Sequence, residues 1–557
     1  MKTSIIKNLL LTGVTCLLTA TSCNVDPEFY SQVVPDNFYT SQDAVYQRFN
    51  RPFTHWRWWV AQDRARWELQ ELGTDEICVP TRGSDWYNGA VYQKFHHHEY
   101  TEDMVSIENG WKNFAMGVSL SLDAIEDLHE VDFDALGFEP GTFESMVNQL
   151  NILQVNFYLD GLEFFGGVPL YTHTGGETKP RSTAEETFNF IDSLLTVSIP
   201  NLPVKTELGA METNVVHQAV GAALRARLYF NAEVYIGKPM YKEAAEICQG
   251  IINGKYGQYA LDTDWTNVFG FRNSTSPEIL WTVPSENAKL ETDFLGGLKD
   301  SGSDNGCCLL PSRDPEGNLY NFKLSNNYEG FNDKDIRKQQ YVYEGDGKYR
   351  GMFVVGEQVN PDHPEWICTG AREYIGQPLL VRDQISYFAK LGTDYASKKD
   401  LPSTIANAEE NSGVRLIKFS PRPNQDEYKE MFNPDVPIIR LAEIYYTLAE
   451  CKMREGDKQG AAELINTVRK RYFDGGVDPD PVTATNLDKY RMLKEWKLEF
   501  LGEGRRRTDL VRWDAYVTED WWDHKATNDP NLNRFPIHYN IIGANNLLEQ
   551  NPGYGGK

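Results

Sequence analysis

The sequence has no block of lysine and arginine large enough to grip a phosphate backbone, and its basic residues are outnumbered, 55 Lys plus Arg against 80 Asp plus Glu. Removing residues 1–22, which carry Lys2 and Lys7 and no acid, takes the formal charge from −25 to −27. Such a field repels polyanions, so no nucleic acid partner is expected, whereas a neutral ligand or a positively charged protein surface is permitted. Cysteine is sparse as well. The eight present include no C-x-x-C pair, so no zinc framework is expected. Adjacent Cys307 and Cys308 do not easily bond to each other; isolated pairs among Cys78, Cys248, Cys307, Cys308, Cys368 and Cys451 remain open in an oxidising compartment. Catalytic signatures are missing too: no H-E-x-x-H is present, and no G-x-S-x-G, P-loop or G-x-G-x-x-G stands in a fitting context. His96, His97 and His98 precede Glu99, yet three consecutive side chains of a strand or helix diverge and do not converge on one ion. Among so many acids, no spacing singles out a glycosidase carboxylate pair. No catalytic residue, metal or cofactor is therefore expected, and the reading is of a protein that is not an enzyme.

Aromatic residues are abundant by contrast. The 557 residues include 13 Trp, 29 Tyr and 27 Phe within a 41% hydrophobic composition, more ring surface than a core usually needs. A chain of this length predicts one large or two intimately packed domains.

The N-terminus is laid out as a signal peptide over residues 1–22: Lys2 and Lys7, an apolar stretch from Leu9 to Leu18, then Ala20, Thr21 and Ser22 before Cys23. A small-residue run ending at cysteine resembles a bacterial lipobox, although Ala20 stands where Leu is usual, and it implies acylation of Cys23. The polar, proline-containing stretch 23–40 then suits a tether from membrane to folded body. Beyond it, no run of about 20 consecutive apolar residues occurs that would span a bilayer as a helix.

From 41 to 256 the pattern is helical. Val216, Val220, Ala223, Leu224 and Leu228 fall on one stripe, Gly237, Lys238 and Pro239 end it, and the segment at 240–252 returns as an antiparallel partner. A second clear pair lies at 438–472, with Leu441, Ile444, Tyr445 and Leu448 on one stripe, a turn and cap at Gly456 and Asp457, and Ala461, Leu464, Ile465 and Val468 on the next. Two further pairs join 42–72 with 104–129 and 142–165 with 183–198, the last opened by a Thr183 to Glu186 capping box. Between 257 and 436 the chain turns to Gly, Asn, Asp, Pro and aromatic residues in short runs, a loop-rich lobe interrupting the helices. The predicted fold is mostly α: a tetratricopeptide-like scaffold of about four helical pairs with an irregular insertion lobe, closed by a helical region at 437–557.

The C-terminal blocks IIRLAEIYYTLAECKMREGDKQGAAELINTVRKR, EWKLEFLGEGRRRTDLVRW and RFPIHYNIIGANNLLEQNPGY, together with FYLDGLEFFGGVPL and DEICVPTRGSDWYNGAVYQKFHHHEY, resemble the SusD/RagB family of outer-membrane glycan-binding lipoproteins in order and near spacing. The resemblance implies a lipid-anchored protein of the cell surface that captures oligosaccharide or polysaccharide and serves nutrient uptake. Its implied partner is a SusC-like, TonB-dependent outer-membrane transporter, over which the protein would sit as a lid. Glu499, Glu503, Arg506, Asp509 and Arg512 recur at three- and four-residue spacing and predict charge pairs along or between helices rather than chemistry.

A sugar offers C–H faces to aromatic rings and hydroxyls to amides, carboxylates and guanidinium groups. Arg82, Asp85, Trp86, Tyr87 and Asn88 supply all of these within seven residues bounded by Gly83 and Gly89, and relatives resembling this chain use an aromatic from this region. Tyr320, Phe322 and Trp366 are further candidate platforms in the lobe. Trp281 has an apolar strand context and is expected in the core, as is Trp513; of Trp58 and Trp59 at most one faces inward, and Trp521 and Trp522 pose the same alternative. The competing reading is a helical-repeat scaffold of the outer membrane that binds protein alone.

Overall fold

A computed structural model describes residues 39–555 apart from 285–329, 360–366, 368–377, 379, 382–403, 407–412, 417, 419–434 and short breaks at 63–64, 82–85, 211, 271–272, 346–347 and 522. Helices α1 (Gln42–Arg57), α2 (Ala65–Glu71), α3 (Val91–His96), α4 (Val105–His129), α5 (Thr142–Phe165), α6 (Ala184–Ser198), α7 (Gln218–Phe230), α8 (Ala232–Ile236) and α9 (Tyr241–Ile252) precede the lobe. The short α10 (Thr266–Phe269) lies inside it, and α11 (Leu441–Arg454), α12 (Lys458–Arg469), α13 (Lys489–Phe500), α14 (Arg506–Arg512) and α15 (Tyr539–Ala544) follow.

The predicted pairs form. Helices α1 and α2 pack on α4, α5 on α6, α7 on α9 and α11 on α12. Local chemistry starts them where expected: Thr183 and Glu186 make both bonds of the capping box, and Asp457 accepts from the Gly460 amide at 2.8 Å. Small residues let the helices approach closely. A Cβ added to Gly117 of α4 would stand 2.4 Å from the Phe157 ring of α5, so only glycine fits that crossing. Helix α9 also packs against α11, which joins in space two pairs that the lobe separates in sequence.

Two expectations need correcting at the level of single elements. The helix foreseen across 42–72 is broken: a wide π-turn at Trp58–Gln62 separates α1 from α2. That turn rotates the tryptophan pair, leaving Trp58 43% exposed and Trp59 at 0%, where its indole donates to Asp160 Oδ2 at 3.0 Å. The helix after residue 216 likewise divides at Asn231, whose side-chain amide donates to the Arg227 carbonyl at 2.9 Å and ends the regular ladder before α8.

The lobe is pinched at its base. Strand β1 (Ile279–Val283) pairs antiparallel with β8 (Val436–Arg440), Val283 facing Val436 and Ile279 facing Arg440. Between them lie β2 (Val342–Gly345) with β3 (Lys348–Arg350), β4 (Phe353–Val354) with β7 (Arg415–Leu416), and β5 (Gly356–Glu357) with β6 (Leu380–Val381), each a two-stranded antiparallel pair. Trp281 of β1 is buried as expected and stacks on Trp56 of α1 with ring centroids 4.0 Å apart.

The C-terminal charges prove to be the bolt between lobe and helices. Arg440 bonds Glu499 at 2.7 Å, Glu503 at 2.8 Å and Glu278 at 3.2 Å. Arg471 adds Glu278 and Glu499, Arg337 of the lobe reaches Glu499 at 3.4 Å, and Lys418 of the lobe reaches Glu503 at 2.5 Å. Burial pushes the Glu499 carboxyl up, but Arg440, Arg471 and Arg337 outweigh it and hold the group at about 2. Glu503 is not on a helix, because α13 ends at Phe500 and the chain turns through left-handed Gly502 and Gly504. Trp513 is half-buried under the Arg454 guanidinium, 3.8 Å from its ring.

Cys248 and Cys451 are buried free thiols, Cys78 is buried as well, and no helix among the described residues is long and apolar enough to cross a membrane.

Candidate functional site

The candidate loop is launched by the buried run Ile77, Cys78 and Val79 and received by α3, whose Tyr92 and Phe95 anchor it in the core. Its root is stitched to the lobe, since the Thr81 amide donates to the Ile405 carbonyl at 2.8 Å and Gln93 donates to Thr81 Oγ1 at 3.0 Å. The Ile405 amide donates in turn to Asp523 Oδ2 at 2.7 Å.

Within this frame the backbone is strained. Trp86, Asn88 and Ala90 have φ of 62°, 40° and 64°, and Gly89 between them has 66°. A left-handed conformation costs a non-glycine residue about 1–2 kcal/mol, so three within five positions persist only because both ends of the loop are held. The Ala90 amide closes the turn on the Tyr87 carbonyl at 2.6 Å.

The two rings of the loop are treated differently. Trp86 is half-buried against the main core, 6.5 Å from the Tyr92 ring and inclined at 50°. Tyr87 is 54% exposed, and Asn88 is exposed beside it. A fixed indole, a presented phenol and a primary amide are the parts that a neutral polyhydroxylated ligand uses. Arg82, Asp85, Tyr320, Phe322, Trp366 and Cys23 lie outside the described residues, as does Trp522.

Behind the loop, two of the three consecutive histidines, His96 and His98, do separate structural work. His98 Nε2 donates to the Gly73 carbonyl at 2.7 Å, and its ring packs 4.2 Å from Tyr516 and 4.4 Å from His524. His524 Nδ1 donates to the His96 carbonyl at 2.6 Å while Trp521, itself buried, stacks on the His524 ring at 3.8 Å. Burial keeps both imidazoles neutral, His98 well below the usual range and His524 down to about 4. Among the described residues, no group of three or more His, Cys, Asp or Glu is arranged to hold a metal ion.

Sequence reading did not single out Tyr539 and Tyr490, both more than half exposed. Their only signal is a ring in polar surroundings, which many surface tyrosines share.

Helical pairs stacked across a strand-closed lobe place the chain among helical-repeat scaffolds that carry one irregular insertion. The model of the SusD family matches residues 253–554, more than half of the chain, and the chain belongs to that family. It is 24% identical over 432 residues to "Starch-binding protein SusD" of Bacteroides thetaiotaomicron, covering 73% of this chain and 72% of that relative. Among solved structures it is similar to a SusD-like protein from Bacteroides fragilis, at 19% identity and TM-score 0.64, covering 93% of this chain and 98% of that one. It is also similar to surface glycan-binding protein A from Bacteroides uniformis, at 17% identity and TM-score 0.61, covering 92% and 99%.

Proposed function

We propose that this chain is a cell-surface glycan-binding lipoprotein that holds oligosaccharide or polysaccharide and delivers it to a SusC-like, TonB-dependent outer-membrane transporter. The signal peptide at 1–22 directs export, Cys23 carries the lipid, and residues 23–40 tether a helical frame, 41–256 and 437–557, from which the lobe at 257–436 projects. Binding rather than hydrolysis is the role. The observation that carries the reading is the strained Trp86 loop in a member of the SusD family, with Tyr87 presented to solvent and Asn88 beside it. Trp86, Tyr87 and Asn88 form the contact surface with Arg82 and Asp85, and Tyr320 and Trp366 extend it on the lobe.

In affinity electrophoresis, Trp86→Ala weakens retention by the cognate polysaccharide about tenfold, the loss of one well-placed ring contact. Unaltered retention would sink the assignment of this loop and favour a scaffold that binds only protein. Release of reducing ends by the purified protein would overturn the non-catalytic role.

A further inference from the structure

The chain leaves α2 at Glu71 and turns straight back. The Thr74 amide and hydroxyl both donate to the Glu71 carbonyl, at 3.1 and 2.6 Å, and the Glu76 amide donates to Thr74 Oγ1 at 3.2 Å. That turn makes the Glu71 and Glu76 carboxyls neighbours, and both are buried. Each grips the same stretch of the C-terminal region. Glu71 Oε1 accepts from the Gly504 and Arg505 amides at 2.7 and 3.0 Å, and Glu76 Oε2 accepts from the Gly502 amide at 3.0 Å. From the middle of that stretch Glu503 reaches the other way, to Arg440 and to Lys418 of the lobe. The turn that bolts the lobe is thus held from behind by two buried carboxyls.

Three buried carboxyls, those of Glu71, Asp75 and Glu76, meet two buried cations, Arg506 and Lys497. Both cations favour Asp75: Arg506 bonds it through two nitrogens at 2.7 and 3.1 Å and Lys497 at 2.5 Å, whereas Arg506 stands 3.8 Å from Glu76. Arg505, which lends Glu71 its amide, has its guanidinium engaged by Asp509 at 2.9 Å and Glu443 at 3.2 Å. Glu71 Oε2 is buried without a hydrogen-bond partner. A buried carboxylate oxygen with no donor, beside a second carboxylate, costs both desolvation and like-charge repulsion. One proton between the two carboxyls removes both costs and brings the group of five to neutrality. Burial and the neighbouring Glu76 push the Glu71 carboxyl well above the usual range, and burial, opposed by Arg506, lifts Glu76 as well.

We propose that Glu71 and Glu76 share one proton and that this proton latches the turn at 502–505, so that its loss in alkali loosens the lobe's attachment to the helices. Without the proton two negative charges face each other behind Gly502 and Gly504, and the repulsion is relieved only by withdrawing a carboxylate from the amides it holds. The turn that aims Glu503 at Arg440 and Lys418 then loses its backing. Because the folded pair binds its proton more tightly than a carboxyl of the unfolded chain, this stability is fully present below about pH 4.3 and is lost as pH rises from there through the folded range. Lys497, pushed down to about 8 by burial, acts with the opposite sign, adding stability as pH rises beyond that value. The latch is independent of the glycan contact proposed at Trp86.

Denaturant titrations of the parent protein and Glu71→Gln between about pH 5 and 8 test it. The glutamine keeps an acceptor for the Gly504 and Arg505 amides and donates permanently toward Glu76. The folding constant of the parent is expected to fall about tenfold per pH unit more steeply than that of the variant, the signature of one proton. Equal slopes overturn the proposal. If Glu71→Gln does not fold, Glu76→Gln makes the reciprocal bond and carries the same comparison, with the same two outcomes. Amide exchange read by mass spectrometry and corrected for base catalysis reports the latch itself. Near pH 9, peptides covering 501–505, β1 and β8 should lose protection in the parent and keep it in the variant. Protection in the parent that does not change with pH overturns the latch even where the slopes differ.

Discussion

The junction between lobe and helices and the Trp86 loop use opposite means of fixing side chains. At the junction, Arg440, Arg471, Glu278 and Glu499 are almost wholly buried, and each bonds two or more opposite charges, so removing any one strands several others. In the loop, an unfavourable backbone is held from outside by a few bonds at its root, and its most exposed ring, Tyr87, is more than half in solvent. The contrast shows that rigidity comes from shared partners at one place and from clamped ends at the other. Damage should therefore register as unfolding in the first region and as lost affinity in the second.

The largest effect expected on that contrast is at the junction. Arg440→Met leaves Glu278, Glu499 and Glu503 buried with fewer cations and lowers unfolding free energy by about 3–5 kcal/mol, read in a denaturant titration. A loss below about 1 kcal/mol would break the distinction. Acid comes next. Glu499 is held at about 2, and Asp75, where Arg506 and Lys497 outweigh burial, is also held at about 2. Because their folded values lie below the ordinary carboxylate range, the stability they bring is fully present above about pH 4.3 and is lost as pH falls toward 2. Each contributes about 3 kcal/mol over that interval, so the thermal midpoint should fall steeply between pH 4 and 2, and a flat profile there would refute the pairing. The smallest effect belongs to the loop: Ala90→Gly relieves a left-handed alanine and should raise stability by about 0.5–1 kcal/mol, and a decrease would show that the strain is not there.

Much of the frame was legible because its signals are local. The apolar stripes around Leu224 and Leu448, the Thr183 capping box and the Asp457 cap each lie within one or two helical turns, and each element formed where its signal stood. The partners of the charged C-terminal residues were not legible, since Glu499 meets Arg337, Arg440 and Arg471 only after a lobe folds back onto the helices. Glu503 kept helical spacing while sitting outside any helix, because glycines at 502 and 504 redirect the chain. At the loop, Gly89 advertised a turn, but nothing in the residue types of Trp86, Asn88 and Ala90 announces three left-handed conformations.

The pairing of Val283 with Val436 has a consequence for how such a protein diversifies. The chain departs from and rejoins the frame at adjoining positions of one hydrogen-bonded ladder, so insertions or deletions between them leave the spacing of the exit and entry points untouched. A lobe from a relative could be grafted across that single rung, changing what is recognised while the helices beneath keep their register.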